Sequence, residues 1–179
     1  AAVAAMSVVG KVFMLILSVL IGFGQGYQPV VGFNYGAGCY QRVKQSFTFT
    51  TIVSFVMMGI LAAAGLVFAP QVIQLFTKAD AQVLEIGTYA MRAQCLALFI
   101  QPLGVISNMT FQSIGKPAEA TFLSACRQGV FFLPLIIILP QLWQLRGVEL
   151  TQPLADVLTF IVCFPFLFKF FQELNQKIA

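Results

Sequence analysis

Four carboxamides, Gln94, Gln101, Asn108 and Gln112, follow one another at steps of seven, seven and four residues. On a helix turning about 100° per residue, those steps bring all four side chains within about 40° of one another. An amide donates and accepts hydrogen bonds and carries no charge. The chemistry on offer is recognition of polar groups. A second set, Ser7, Lys11, Ser18, Gly22, Gln25, Pro29 and Gly36, shares one helical face within about 60°. Lys11 stands out in it, since a lysine in the middle of a membrane span costs about 2.5–3.5 kcal/mol on insertion scales. Either it serves function or its long stem carries the ammonium to the interface. Bond-making chemistry has little to work with. The composition holds His 0, which removes Ser-His-Asp and Cys-His couples and the HExxH zinc site. An enzyme is therefore not expected. No metal site and no cofactor are expected either.

The elements that must carry these stripes follow from composition. Of 179 residues, 59% are hydrophobic and 9% charged, with mean hydropathy +0.90. A soluble domain carries about 25% charged residues, so the solvent implied is lipid. A helix crosses the hydrocarbon in about 20 residues. The expected fold is all-α, a polytopic membrane helix bundle with five transmembrane helices, at about 4–36, 46–69, 81–114, 118–142 and 150–173 of one unit, 1–179. The second run is rich in Phe, Thr and Val (FTFTTIVSFV). Its length argues for helix all the same, because a membrane strand needs only about 10 residues. Pro70 is expected to end it and Asp80 to cap the next helix. Pro102 should bend the third span, and Pro134 with Pro140 the fourth.

In hydrocarbon a polar group needs a protein or water partner. The amide stripe is thus either the wall of a water-filled cavity or glue between helices. Arg127 reads as an interface anchor, with a cavity charge as the alternative, and Arg92 is equally open. Glu85 and Asp156 fall near the outer ends of their spans. No carboxylate is expected deep in any span. Net charge is +4, without the Lys/Arg cluster a nucleic-acid partner would require. Arg42, Lys44, Lys116, Lys169 and Lys177 fall on one side. Lys78 and Arg146 fall on the other, offset by Asp80, Glu85, Glu149 and Asp156. That bias places the first side, and the C-terminus, in the cytoplasm. Trp143 and Tyr89 fit the outer boundary. Cys39, Cys95, Cys126 and Cys163 lie far apart and read as reduced fillers. The Gly-Lys pair in SIGKPAEA lacks the P-loop pattern and reads as a turn.

Gly22 to Arg42 reads GFGQGYQPVVGFNYGAGCYQR. This string resembles the G-x-x-Q-G-x-Q-P-x-x-G-x-N-x-G-A-x-x-x-x-R signature of the multidrug and toxic compound extrusion (MATE) transporters. The matching positions include Gln25, Gln28, Pro29, Gly32, Asn34, Gly36, Ala37 and Arg42. Weaker likenesses follow in order: Phe76-Thr77-x-x-Asp80, Gly115-Lys116, Arg127-Gln128 before Pro134 and Pro140, and Pro153-x-x-Asp156. The pattern looks closest to bacterial branches related to DNA-damage-inducible protein F.

The resemblance implies two six-helix bundles facing a central cavity, with this chain supplying the eighth to twelfth helices. The chain begins without an initiator Met, already apolar, and is expected to be a C-terminal piece. The implied activity is secondary efflux of lipophilic, often cationic compounds in antiport with Na+ or H+, by rocking-bundle alternating access. Lys11, Ser18, Gln25, Gln94, Gln101, Asn108 and Gln112 are the candidate cavity residues. Some relatives carry an acid on the tenth helix where this chain has amides. The coupling ion is therefore expected on a carboxylate of the absent N-terminal bundle. Implied partners are small lipophilic substrates, membrane lipids and that bundle. The implied location is the plasma (inner) membrane, multi-pass. A lipid or lipid-linked-sugar flippase of related fold, or a channel or scaffold, is the alternative.

Overall fold

A computed structural model describes residues 2–76 and 81–178. Thr77, Lys78, Ala79 and Asp80, and with them the expected cap and part of the Phe76–Asp80 likeness, lie outside the described residues. Helix α1 is Ala2–Gly36 and α2 is Tyr40–Phe76. Next come α3, Ala81–Leu98, and α4, Gln101–Ser113. After α5, Pro117–Ala125, a π-helical turn occupies Cys126–Val130, and α6 is Phe132–Ile178. The described residues contain helix and turn and no strand.

The α1–α2 connection is a tight cap. Cys39 N–H donates to Asn34 C=O (2.9 Å) and Gly38 N–H to Tyr35 C=O (3.2 Å). These are the two bonds of a Schellman motif, whose left-handed residue is Gly38 at φ 72°. The end of α4 repeats it. Lys116 N–H donates to Phe111 C=O (2.9 Å) around Gly115 at φ 75°. The Asn34–Gly38 segment and the Gly-Lys pair are therefore both helix stops.

Pro70 does not end α2, which continues to Phe76. A proline costs one backbone bond, and membrane helices tolerate that where neighbouring groups compensate. Pro102 acts as expected. It sits at the start of α4, and α3 and α4 meet at a 53° bend. Pro134 follows the π-turn, in which Phe131 N–H donates to Cys126 C=O at 3.0 Å. The last two spans join at Trp143 and Gln144. Gln144 is the one described non-glycine residue with positive φ, 49°. The crossing segments are Val3–Gly36, Tyr40–Phe76, the bent α3–α4 pair, Pro117–Gln144 and Arg146–Ile178. The final span thus starts at Arg146, about one turn before the expected residue 150.

Packing follows the bilayer's rules. Leu20, Val31, Val43, Met58, Ile106, Phe111, Phe170 and Leu174 form the buried centre. Phe47, Phe111 and Phe171 stack around Phe170 at 5.6–6.2 Å between ring centroids. Outward faces are as apolar as the centre: Phe49, Ile52, Val56 and Ile60 of α2 and Ile161, Phe164 and Phe168 of α6 are exposed. In water this would be a liability, but against acyl chains it is the required surface.

Charge gathers at the two ends. At one end Lys116 pairs with Glu173, Lys44 donates to Asn175 (3.1 Å) and Lys177 to the Tyr35 hydroxyl (3.0 Å). At the other, Arg146 lies over the Tyr89 ring at 5.7 Å, and Trp143 is exposed.

Candidate functional site

The π-turn and the second limb of α6 bring one cation and one anion to the same depth. Arg127 stands ten residues beyond Pro117 and Asp156 ten beyond Arg146, about 15 Å of rise in each case. Both are therefore well inside the bundle. Arg127 Nε donates to Asp156 Oδ1 at 2.8 Å. Gln101 Nε2 donates to Asp156 Oδ2 at 2.6 Å, and Gln152 Nε2 reaches Oδ1 at 3.4 Å. The sequence reading put no carboxylate this deep. The difference arises because the expected span starts at about residue 150, whereas the helix begins at Arg146. Arg127 is likewise no interface anchor but the partner of a buried acid. A charge ten residues into an apolar helix was the signal that could have found both.

A cleft of about 260 Å³ opens beside this pair. Gln101, Asn108, Gln112, Ser124, Arg127 and Asp156 supply its polar wall, and Leu17, Ile21, Met109 and Phe160 part of its apolar one. Asn108 Nδ2 donates to Ser124 Oγ (2.6 Å) and to Ala120 C=O (2.8 Å). Gln112 Nε2 donates to Asn108 Oδ1 (2.6 Å), and Gln28 Nε2 donates to Gln112 Oε1 (3.3 Å). The amides thus do two things at once: they line a cavity and tie α1 to α4 and α5. Gln101 keeps its buried Oε1 without a hydrogen-bond partner among the described residues.

Gln94 is separated from the other three amides. It is buried on α3, beyond the bend at Phe99–Ile100, and does not line the cleft. The bend that Pro102 imposes resets the helical phase, so alignment computed on one straight helix fails there. Lys11, Ser18 and Gln25 do not line the cleft either. They stand exposed on α1 with Ser7, Gly22, Pro29 and Gly36, a polar strip flanked by exposed Met14, Leu15 and Phe33. The opposite face of α1 packs. Gly24 admits the Met109 side chain, Tyr27 OH and Thr110 Oγ1 share a buried hydrogen bond of 2.9 Å, and Gly32 faces the Ser113 carbonyl. Of the remaining signature residues, Asn34 bonds back to Val30 C=O (2.7 Å), and Ala37 and Arg42 are exposed.

The model of the family described as MatE matches residues 1–138. The chain belongs to the MatE family. MatE proteins are integral membrane transporters. Among its relatives, multidrug export protein MepA of Staphylococcus haemolyticus is 23% identical over 147 residues, 82% of this chain and 32% of MepA. An FAD transporter of Shewanella oneidensis is 26% identical over 166 residues, 91% of this chain and 36% of that one. The chain thus spans about a third of the length of the curated relatives it matches. A MATE crystallised in complex with MaL6 superposes with a TM-score of 0.90 at 22% identity, over 97% of this chain and 40% of that one. At that identity the likeness speaks for the MATE fold alone.

Proposed function

We propose that this chain forms part of one lobe of a secondary active multidrug exporter. The lobe moves lipophilic compounds, cationic ones among them, across the plasma (inner) membrane in exchange for Na+ or H+. The observation that carries the reading is the mid-depth polar cleft walled by α1, α4, α5 and α6, together with the polar strip that α1 turns away from this bundle. Both features suit a second lobe rocking against the first around a shared cavity. Lys11, Ser18 and Gln25 would face that shared cavity, and Gln101, Asn108 and Gln112 would line this lobe's side of it. Both Asp156 oxygens already accept hydrogen bonds, and we assign the coupling ion to a carboxylate outside the described residues. A flippase for pyrophosphate-linked lipids would call for a cationic cluster. Among the described residues the cleft holds one cation, and it is paired.

Two experiments bear on this. Leucine at both Gln101 and Asn108 should cut dye export from intact cells at least tenfold at unchanged membrane expression. Export at the parental rate would reduce the amides to helix glue. Exposed Cys39, in the cap between α1 and α2, should react with an impermeant maleimide in inside-out vesicles. Reaction from the outer side alone would reverse the orientation and put the C-terminus outside.

A further inference from the structure

Seen from the cleft, the Arg127–Asp156 pair is not neutral. The Asp156 side chain is 2% exposed and its two oxygens take all three donors described above. The Arg127 side chain is 22% exposed and lines the cleft. Its Nε serves Asp156, while its two terminal nitrogens, four N–H donors, have no partner among the described residues. The acid's oxygens at the cleft wall are taken up by their donors, and the guanidinium fork is presented. A fork with free terminal donors in a partly desolvated cleft takes a planar oxyanion, two N–H bonds to two oxygens. Asp156 works from behind: it holds Nε, fixes the plane of the fork and offsets the cost of burying the charge.

The geometry points to an oxyanion subsite: the terminal nitrogens of Arg127 bind a carboxylate or phosphate group of the transported molecule. The apolar wall of Leu17, Ile21, Met109 and Phe160 takes the rest of it. The ligand class is an amphiphile with an aromatic or aliphatic body and one anionic group, zwitterions included. A bilayer headgroup is not the source, since the fork lies about 15 Å inside the helix ends. The inference rests on the efflux reading and narrows its substrates.

A matched dye pair tests it. Rhodamine 6G and its free acid, rhodamine 19, share one cationic ring system and differ in ester against carboxylate. In the detergent-solubilised intact protein, fluorescence anisotropy should give at least tenfold tighter binding of the acid. R127Q should erase that ratio to within twofold, and R127K should retain part of it. D156N, which leaves the fork without its neutralising partner, should widen it. Equal affinities in the parental protein overturn the subsite whatever the variants do, as does an undiminished ratio in R127Q. Export of rhodamine 6G from cells is read separately. Its absence would count against the efflux reading and leave the binding ratio to be judged alone.

Discussion

Alanine at Asp156 should lower stability by about 3–5 kcal/mol, the usual cost of removing one partner from a buried ion pair. The loss is not that of a single contact. Truncation strands the Arg127 guanidinium, whose Nε is held at 2.8 Å, and leaves the Gln101 amide without the oxygen it reaches at 2.6 Å. Both orphaned groups lie in a low-dielectric interior where unpaired donors are costly. Removing both charges is a different experiment. Leucine at Arg127 and Asp156 together should recover most of the stability, because a buried pair is often no better than apolar residues of similar volume. Thermal unfolding of the two singles and the double, arranged as a cycle, reads this directly. A double variant as unstable as the sum of the singles would mean that the two residues act independently. A stable double that has lost the carboxylate-dye preference would separate folding from recognition.

Alanine at Gly147 is the second large effect. Gly147 is the second residue of the last span, just past the turn at Trp143–Gln144, and a Cβ there would run into the backbone of Leu139 and Pro140. Backbone atoms have no rotamer to escape into, so the hairpin must splay. Overpacking of this kind costs about 1–3 kcal/mol. Gly24→Ala makes a sharp control. Its added methyl meets the Met109 thioether, a side chain with three rotatable bonds. Gly147→Ala should lower the midpoint of thermal unfolding in detergent clearly, and Gly24→Ala only slightly. The opposite order would show that the turn has room.

Much of this architecture was readable in the chain before folding, and the failures share a cause. Apolar runs about as long as a bilayer is thick identify spans, and Pro102 identifies the bend. Both are local properties of the chain. Pro70 was misjudged because a proline's effect depends on what surrounds it, and a membrane helix runs on through it. Asp156 escapes the sequence because depth is counted from a helix start, and the expected start near residue 150 lies a turn too late. Its partners, Arg127 on one helix and Gln101 on another, are separated from it by 29 and 55 residues. No periodicity encodes such a meeting. The amide stripe was legible as far as one straight helix reached. Gln101, Asn108 and Gln112 stayed in phase, and Gln94 fell on the far side of the break.

The wide turn at Cys126–Val130 has a consequence for how this helix is built. Because Phe131 bonds back five residues instead of four, the segment holds one residue more than a regular spiral would. The turn takes up that extra residue locally, so excising one residue there would restore regular winding and leave the limbs on either side nearly in phase. Arg127, which sits in the turn itself, would lose the local widening that sets its direction even though no contact residue had been altered. What aims the guanidinium is therefore the number of links between Pro117 and Pro134, an arithmetic property that substitution scans leave untouched.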